Sequence, residues 1–61
     1  MHMVDVARMR ANPKVWARYE ALLGRADHAQ HGSPDANALA AFQRDWANDP
    51  EAVRRAVEAG S

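Results

Sequence analysis

The sequence predicts a small all-α bundle of three helices, with a short fourth possible at the N-terminus. Three observations predict it. Each of the three prolines follows a residue whose short polar side chain can accept hydrogen bonds from free helix amides: Asn12-Pro13, Ser33-Pro34 and Asp49-Pro50. Large apolar side chains after each proline recur at helical spacing. The chain is 61 residues long, enough for one domain across 1–61 and no more.

Proline suits the first helical position, because its fixed φ is already helical and its missing N–H would have had no partner there. The residue before it serves as N-cap. It is also pushed out of the helical region, so a preceding helix should end near Ala11 or Asp49. From Pro13 to Leu23, Val15, Trp16, Tyr19, Leu22 and Leu23 fall within an arc of about 120° at 100° per residue. Lys14, Arg18 and Glu20 lie outside that arc, and Gly24 supplies a permissive left-handed C-cap.

The stretch from Gly24 to Ser33 has no apolar periodicity and contains Gly32, so it reads as a connecting loop. From Pro34 to about Ala47, Leu39, Phe42 and Trp46 recur at i, i+3 and i+7, with Ala36, Ala40 and Ala47 beside them. Small residues next to large ones let another helix approach closely. From Pro50 to Ala59, Val53, Val57, Ala52 and Ala56 make an apolar side, and Glu51, Arg54, Arg55 and Glu58 make a solvated one. Glu51 is spaced for an exposed ion pair with Arg55. Before all of these, Val6 and Met9 share a side of a weakly patterned stretch, Val4 to Ala11, that reads as a short helix or a frayed arm. The intervals between the three proline starts are unequal, so no repeat array is present.

Composition narrows the function. Fourteen residues are Ala, none is Ile, and Val, Leu and Phe together number nine. The core must therefore be thin. Disorder is disfavoured, because its signature includes a high net charge and here 8 basic side chains balance 8 acidic ones. With no cysteine, no long apolar run and no glycine-rich phosphate loop, a disulfide scaffold, a zinc ribbon, a thiol enzyme, a membrane span and a P-loop are excluded. The lack of cysteine also leans toward a reducing, cytoplasmic setting. Met1-His2-Met3 and Gly60-Ser61 read as cloning remnants.

His28 and His31, with Asp27 and Asp35 nearby, have the side chains of a divalent-metal site. Nothing in a loop fixes their geometry, and solvated loop histidines are the expectation. The same His–Asp pairs are the only general acid–base candidates. The hydroxyls are Tyr19, Ser33 and Ser61, so no nucleophile stands out, and a chain this short struggles to enclose a substrate pocket. No enzyme, no metal and no cofactor is expected.

Trp16, Tyr19, Phe42 and Trp46 are all the aromatics, and each sits in an apolar stripe. Their burial must supply a large share of the core. A core so small barely offsets the conformational entropy of about 1.5 kcal/mol per residue, so a partner or a second copy would help. The resulting expectation is a non-catalytic protein-interaction module, binding a partner chain or itself through an apolar helix face. Val53 and Val57 are the favoured contact residues, with Trp16 and Trp46 as further candidates. The alternative is a small DNA-binding regulator of helix-turn-helix type, with Arg54 and Arg55 on the final helix. Nucleic acid is disfavoured by the neutral balance and by Glu51 and Glu58 on the same side.

Overall fold

All three prolines stand at the first residue of a helix, and four helices follow one another among the described residues. The computed structural model describes residues 5–60. They form α1 (Val6–Arg10), α2 (Pro13–Asp27), α3 (Pro34–Asn48) and α4 (Pro50–Ala59), with no strand among the described residues. Met1-His2-Met3 and Ser61, read above as remnants, lie outside the described residues.

Two of the proline caps work as the sequence predicts. Ser33 Oγ accepts from the Ala36 amide at 3.3 Å, and Asp49 Oδ1 accepts from the Ala52 amide at 3.2 Å. Asp49 is also the whole connection between α3 and α4. Its own amide donates to the Asp45 carbonyl at 2.8 Å, closing one helix while its carboxylate opens the next. The pre-proline restriction holds it at φ −152° and ψ 86°, so the chain bends within one residue.

Asn12 departs from the expected pattern. Its backbone is extended, but its side chain makes no cap bond to α2. Instead Nδ2 donates to the Arg8 carbonyl at 3.0 Å and satisfies the exposed end of α1. With only one residue, Ala11, between Arg10 and Asn12, the freed carbonyls of α1 compete with the amides of α2 for the same side chain, and α1 takes it.

Gly24 is not a left-handed C-cap, and the loop does not begin there. The helix runs through it to Asp27 and closes at His28, where φ is −105°. Interior glycine costs about 1 kcal/mol relative to alanine. Continuing the helix through Arg25 and Ala26 offsets that with further backbone hydrogen bonds and half-buries Ala26. The left-handed glycine is Gly32, at φ 83°, in a loop cut to 28–33. There Asn37 Nδ2 donates to the Gly32 carbonyl at 3.3 Å.

α2 packs against each of the other three helices, and α3 packs against α4. The core is one cluster of Met9, Val15, Tyr19 and Trp46, with Trp16, Leu39, Phe42, Val53 and Val57 packed against it. Met9 is fully buried, so the weakly patterned N-terminal stretch is a real helix that feeds the core. Five residues are too few for a stable isolated helix. α1 is held by Met9, by the Asp5 carboxylate accepting from the Arg8 amide at 3.0 Å, and by the Trp46 indole donating to the Asp5 carbonyl at 3.3 Å. The α2 stripe is narrower than its sequence pattern: Val15, Tyr19 and Leu22 are buried, Trp16 is half-buried, and Leu23 is exposed. Of the alanines expected to line helix contacts, Ala36 is half-buried, whereas Ala40 and Ala47 are exposed; on the apolar side expected of α4, Val53 and Val57 are half-buried and Ala52 and Ala56 are exposed. The molecule measures 30 × 29 × 16 Å, thin enough that every helix keeps a face to solvent.

Two expected outcomes follow from this packing. A Cβ at Gly24 would meet nothing within 4 Å, so Gly24→Ala should stabilise the chain by about 0.5–1 kcal/mol in thermal or urea unfolding; destabilisation would restore the left-handed cap. Trp46→Ala should cost about 3–5 kcal/mol, comparable with the whole stability of a chain this long at about 0.05–0.15 kcal/mol per residue. The half-buried Trp16→Ala should cost clearly less, and circular dichroism melts that rank the two the other way would contradict the core described here.

Candidate docking groove

The functional candidates on α4 are placed by its amphipathic pattern. Val53 and Val57 stand one turn apart, half-buried against the core cluster. Their outer edges also line a groove of about 590 Å³ between α2, α3 and α4. Ala56 and Gly60 complete the α4 side. Phe42 and Asp45 come from α3, and Lys14, Ala17 and Arg18 from α2. Ala17 and Ala56 are both exposed, and their lack of bulk leaves the groove open. A smaller recess of about 260 Å³, lined by Asn12, Pro13, Lys14, Val15 and Glu58, shares Lys14 with the groove.

The two tryptophans are not part of this groove. Trp46 is 1 % exposed and has almost no ring surface to offer another molecule. Trp16 is half-buried in a row of packed rings. The Arg10 guanidinium lies 5.0 Å from its centroid, Tyr19 packs on it at 5.8 Å, and Phe42 continues the row 5.9 Å from Tyr19. Tyr19 also accepts a hydrogen bond from Gln43 Nε2 at 3.0 Å, which joins α2 to α3. Of the four contact residues expected from the sequence, the structure brings Val53 and Val57 together at an open surface and leaves Trp16 and Trp46 elsewhere.

The charged side of α4 is arranged differently from the expected Glu51–Arg55 pair. Arg54 is the hub: its Nη2 lies 2.7 Å from Glu51 and its Nη1 2.9 Å from Glu58. Arg55 Nε donates to the Glu51 carbonyl at 3.4 Å instead. Spacings of three and four residues both bring side chains together on a helix, and one guanidinium fork serves two carboxylates. The hydrogen bond and charge of Arg54 hold the Glu51 carboxyl below its ordinary range, and Glu51 in turn raises Arg54. The Glu51–Arg54 pair is therefore charged at neutral pH and is lost only as acid titrates Glu51 through its lowered pKa. Two carboxylates against Arg54 oppose any approach of phosphates to this face.

His28 and His31 are exposed in the α2–α3 loop. Among the described residues, no three His, Cys, Asp or Glu side chains converge on a point that could hold a metal ion. No helix among them is long and apolar enough to cross a membrane.

Sequence reasoning did not find Lys14, Ala17, Arg18, Phe42, Asp45 and Ala56 as one surface. The available signal was the pair of small residues, Ala17 and Ala56, facing large ones, together with Lys14 and Arg18 one turn apart on a helix whose acids lie elsewhere. No protein-family model, curated protein or solved structure matches this chain.

Proposed function

We propose that the chain is a non-catalytic interaction module that binds a partner chain, or a second copy of itself, through the groove between α2, α3 and α4. The observation that carries the reading is the dual placement of Val53 and Val57, which close the core on one side and line an open groove on the other. In a chain with nine large aliphatic or phenylalanine side chains, leaving part of that surface beside an open cleft costs hydrophobic stabilisation that a bound partner would recover. The groove brings no thiol, hydroxyl or imidazole together; its ionisable groups are Lys14, Arg18 and Asp45. That composition supports recognition over catalysis. The Glu51–Arg54–Glu58 cluster, two carboxylates on one guanidinium, weighs against helix-turn-helix binding of DNA through Arg54 and Arg55. The absence of cysteine supports a reducing compartment, and we place the module in the cytoplasm.

Asp in place of Val53 or Val57 would place a carboxylate at the edge of the core and disturb folding together with binding. Ala56→Lys is the cleaner test, because Ala56 is exposed and lines the groove. Sedimentation velocity across a concentration series, and affinity capture with the same chain as bait, should show association for the wild type. Ala56→Lys should weaken that association at least about tenfold with the melting temperature kept. Equal association by both proteins, or a wild type that stays monomeric and retains nothing that Ala56→Lys loses, would contradict the reading.

A further inference from the structure

The rims of the groove carry opposite charges that are not drawn into ion pairs among the described residues. Lys14 and Arg18 stand one turn apart on α2, and Asp45 stands on α3. None of the three has an ion-pair partner among the described residues, whereas Arg54 is held by two glutamates. At 100° per residue, Arg25 falls within about 40° of Lys14 and Arg18 on the same face of α2. This row of three cations spans about 16 Å at 1.5 Å per residue. Glu20 and Asp27, the acids of α2, fall away from the row, at about 120° or more from each of its cations. Long cationic side chains beside apolar surface and in no ion pair attract an anionic group that also brings apolar surface.

The form of that occupant follows from the groove. Its floor is apolar, built from Phe42, Val53 and Val57, and gives a phosphate backbone nothing to bind. Asp45 on the second rim repels a polyanion that would lie across both. An amphipathic helix meets both demands, since its apolar stripe can enter a hydrophobic groove while its flanks meet the rims. We propose that the groove takes an amphipathic helix of a partner protein, with carboxylates along the flank that meets Lys14 and Arg18 and neutral or basic residues along the flank that meets Asp45. This rests on the groove being the docking surface, and it adds which chemistry docks there and in which orientation.

The test uses two synthetic helical peptides with the same leucine stripe, one carrying Glu along one flank and its twin carrying Lys at those positions. Binding is read by anisotropy of a fluorescent label. The acidic peptide should bind at least about tenfold tighter than the twin, with the preference shrinking as salt rises. Lys14→Glu combined with Arg18→Glu should abolish or invert the preference, with the melt unchanged because both side chains are exposed and in no ion pair. Arg8→Gln, a charge loss on α1, should leave it intact. Equal binding of both peptides that is lost in Ala56→Lys would overturn the charge assignment while keeping the groove as a docking surface. Binding of neither peptide would remove both. A DNA duplex that binds more tightly than the acidic peptide, and loses binding in the Lys14/Arg18 variant, would give this face to nucleic acid and overturn the proposal.

Discussion

The indole of Trp46 reaches across 41 positions of sequence to donate its N–H to the Asp5 carbonyl, and its ring is 1 % exposed. It belongs to α3, it shares a cluster with Met9 of α1 and with Val15 and Tyr19 of α2, and Val53 and Val57 of α4 pack against that cluster. All four helices thus meet at the one cluster that holds Trp46. In a protein with many large aliphatics, such a junction would be one contact among dozens. Here there is no Ile, there are three Leu, and one of those, Leu23, is 39 % exposed. The burial that a large aromatic provides, with its polar atom satisfied, cannot be replaced from elsewhere in the chain.

A core concentrated on one ring leaves the periphery thin, and the local devices of the chain follow from that. Short helices are marginal without help, so their ends are closed by side chains: Asp5, Ser33 and Asp49 accept from free amides, and Asn12 donates to a free carbonyl. Two connections are almost without length, which keeps the helices in contact where few side chains could pull a longer loop together. The same scarcity makes Val53 and Val57 serve two surfaces. They bury one edge against the Trp46 cluster and leave the other at the groove.

Much of this was legible in the sequence because it is written in local chemistry. A proline after Ser33 or Asp49 specifies a helix start with little help from the rest of the chain, and α4 has the bounds its pattern predicts. Gly24 misleads because a glycine's effect depends on whether the next residues gain by staying helical, and Ala26 does. Asn12 misleads because two helices compete for one side chain, and their separation is set by packing. The choice of Glu51 between Arg54 and Arg55 turns on rotamers that the spacing alone leaves open. The groove was the least legible feature: Lys14, Phe42 and Ala56 are far apart in sequence, and only the mutual approach of three helices brings them together. That the tryptophans would divide into one buried and one half-buried ring was likewise hidden, since both lie in apolar stripes of the same quality.

If the structure depends on Trp46 as described, its indole N–H should be opened to solvent only by global unfolding. Hydrogen exchange followed by NMR at the two indole N–H groups tests this directly, because Trp16 serves as an internal comparison in the same molecule. The account predicts that the Trp46 indole exchanges with the protection of the slowest backbone amides, and that the Trp16 indole exchanges much faster. Equal and rapid exchange at both, or slower exchange at Trp16, would contradict it.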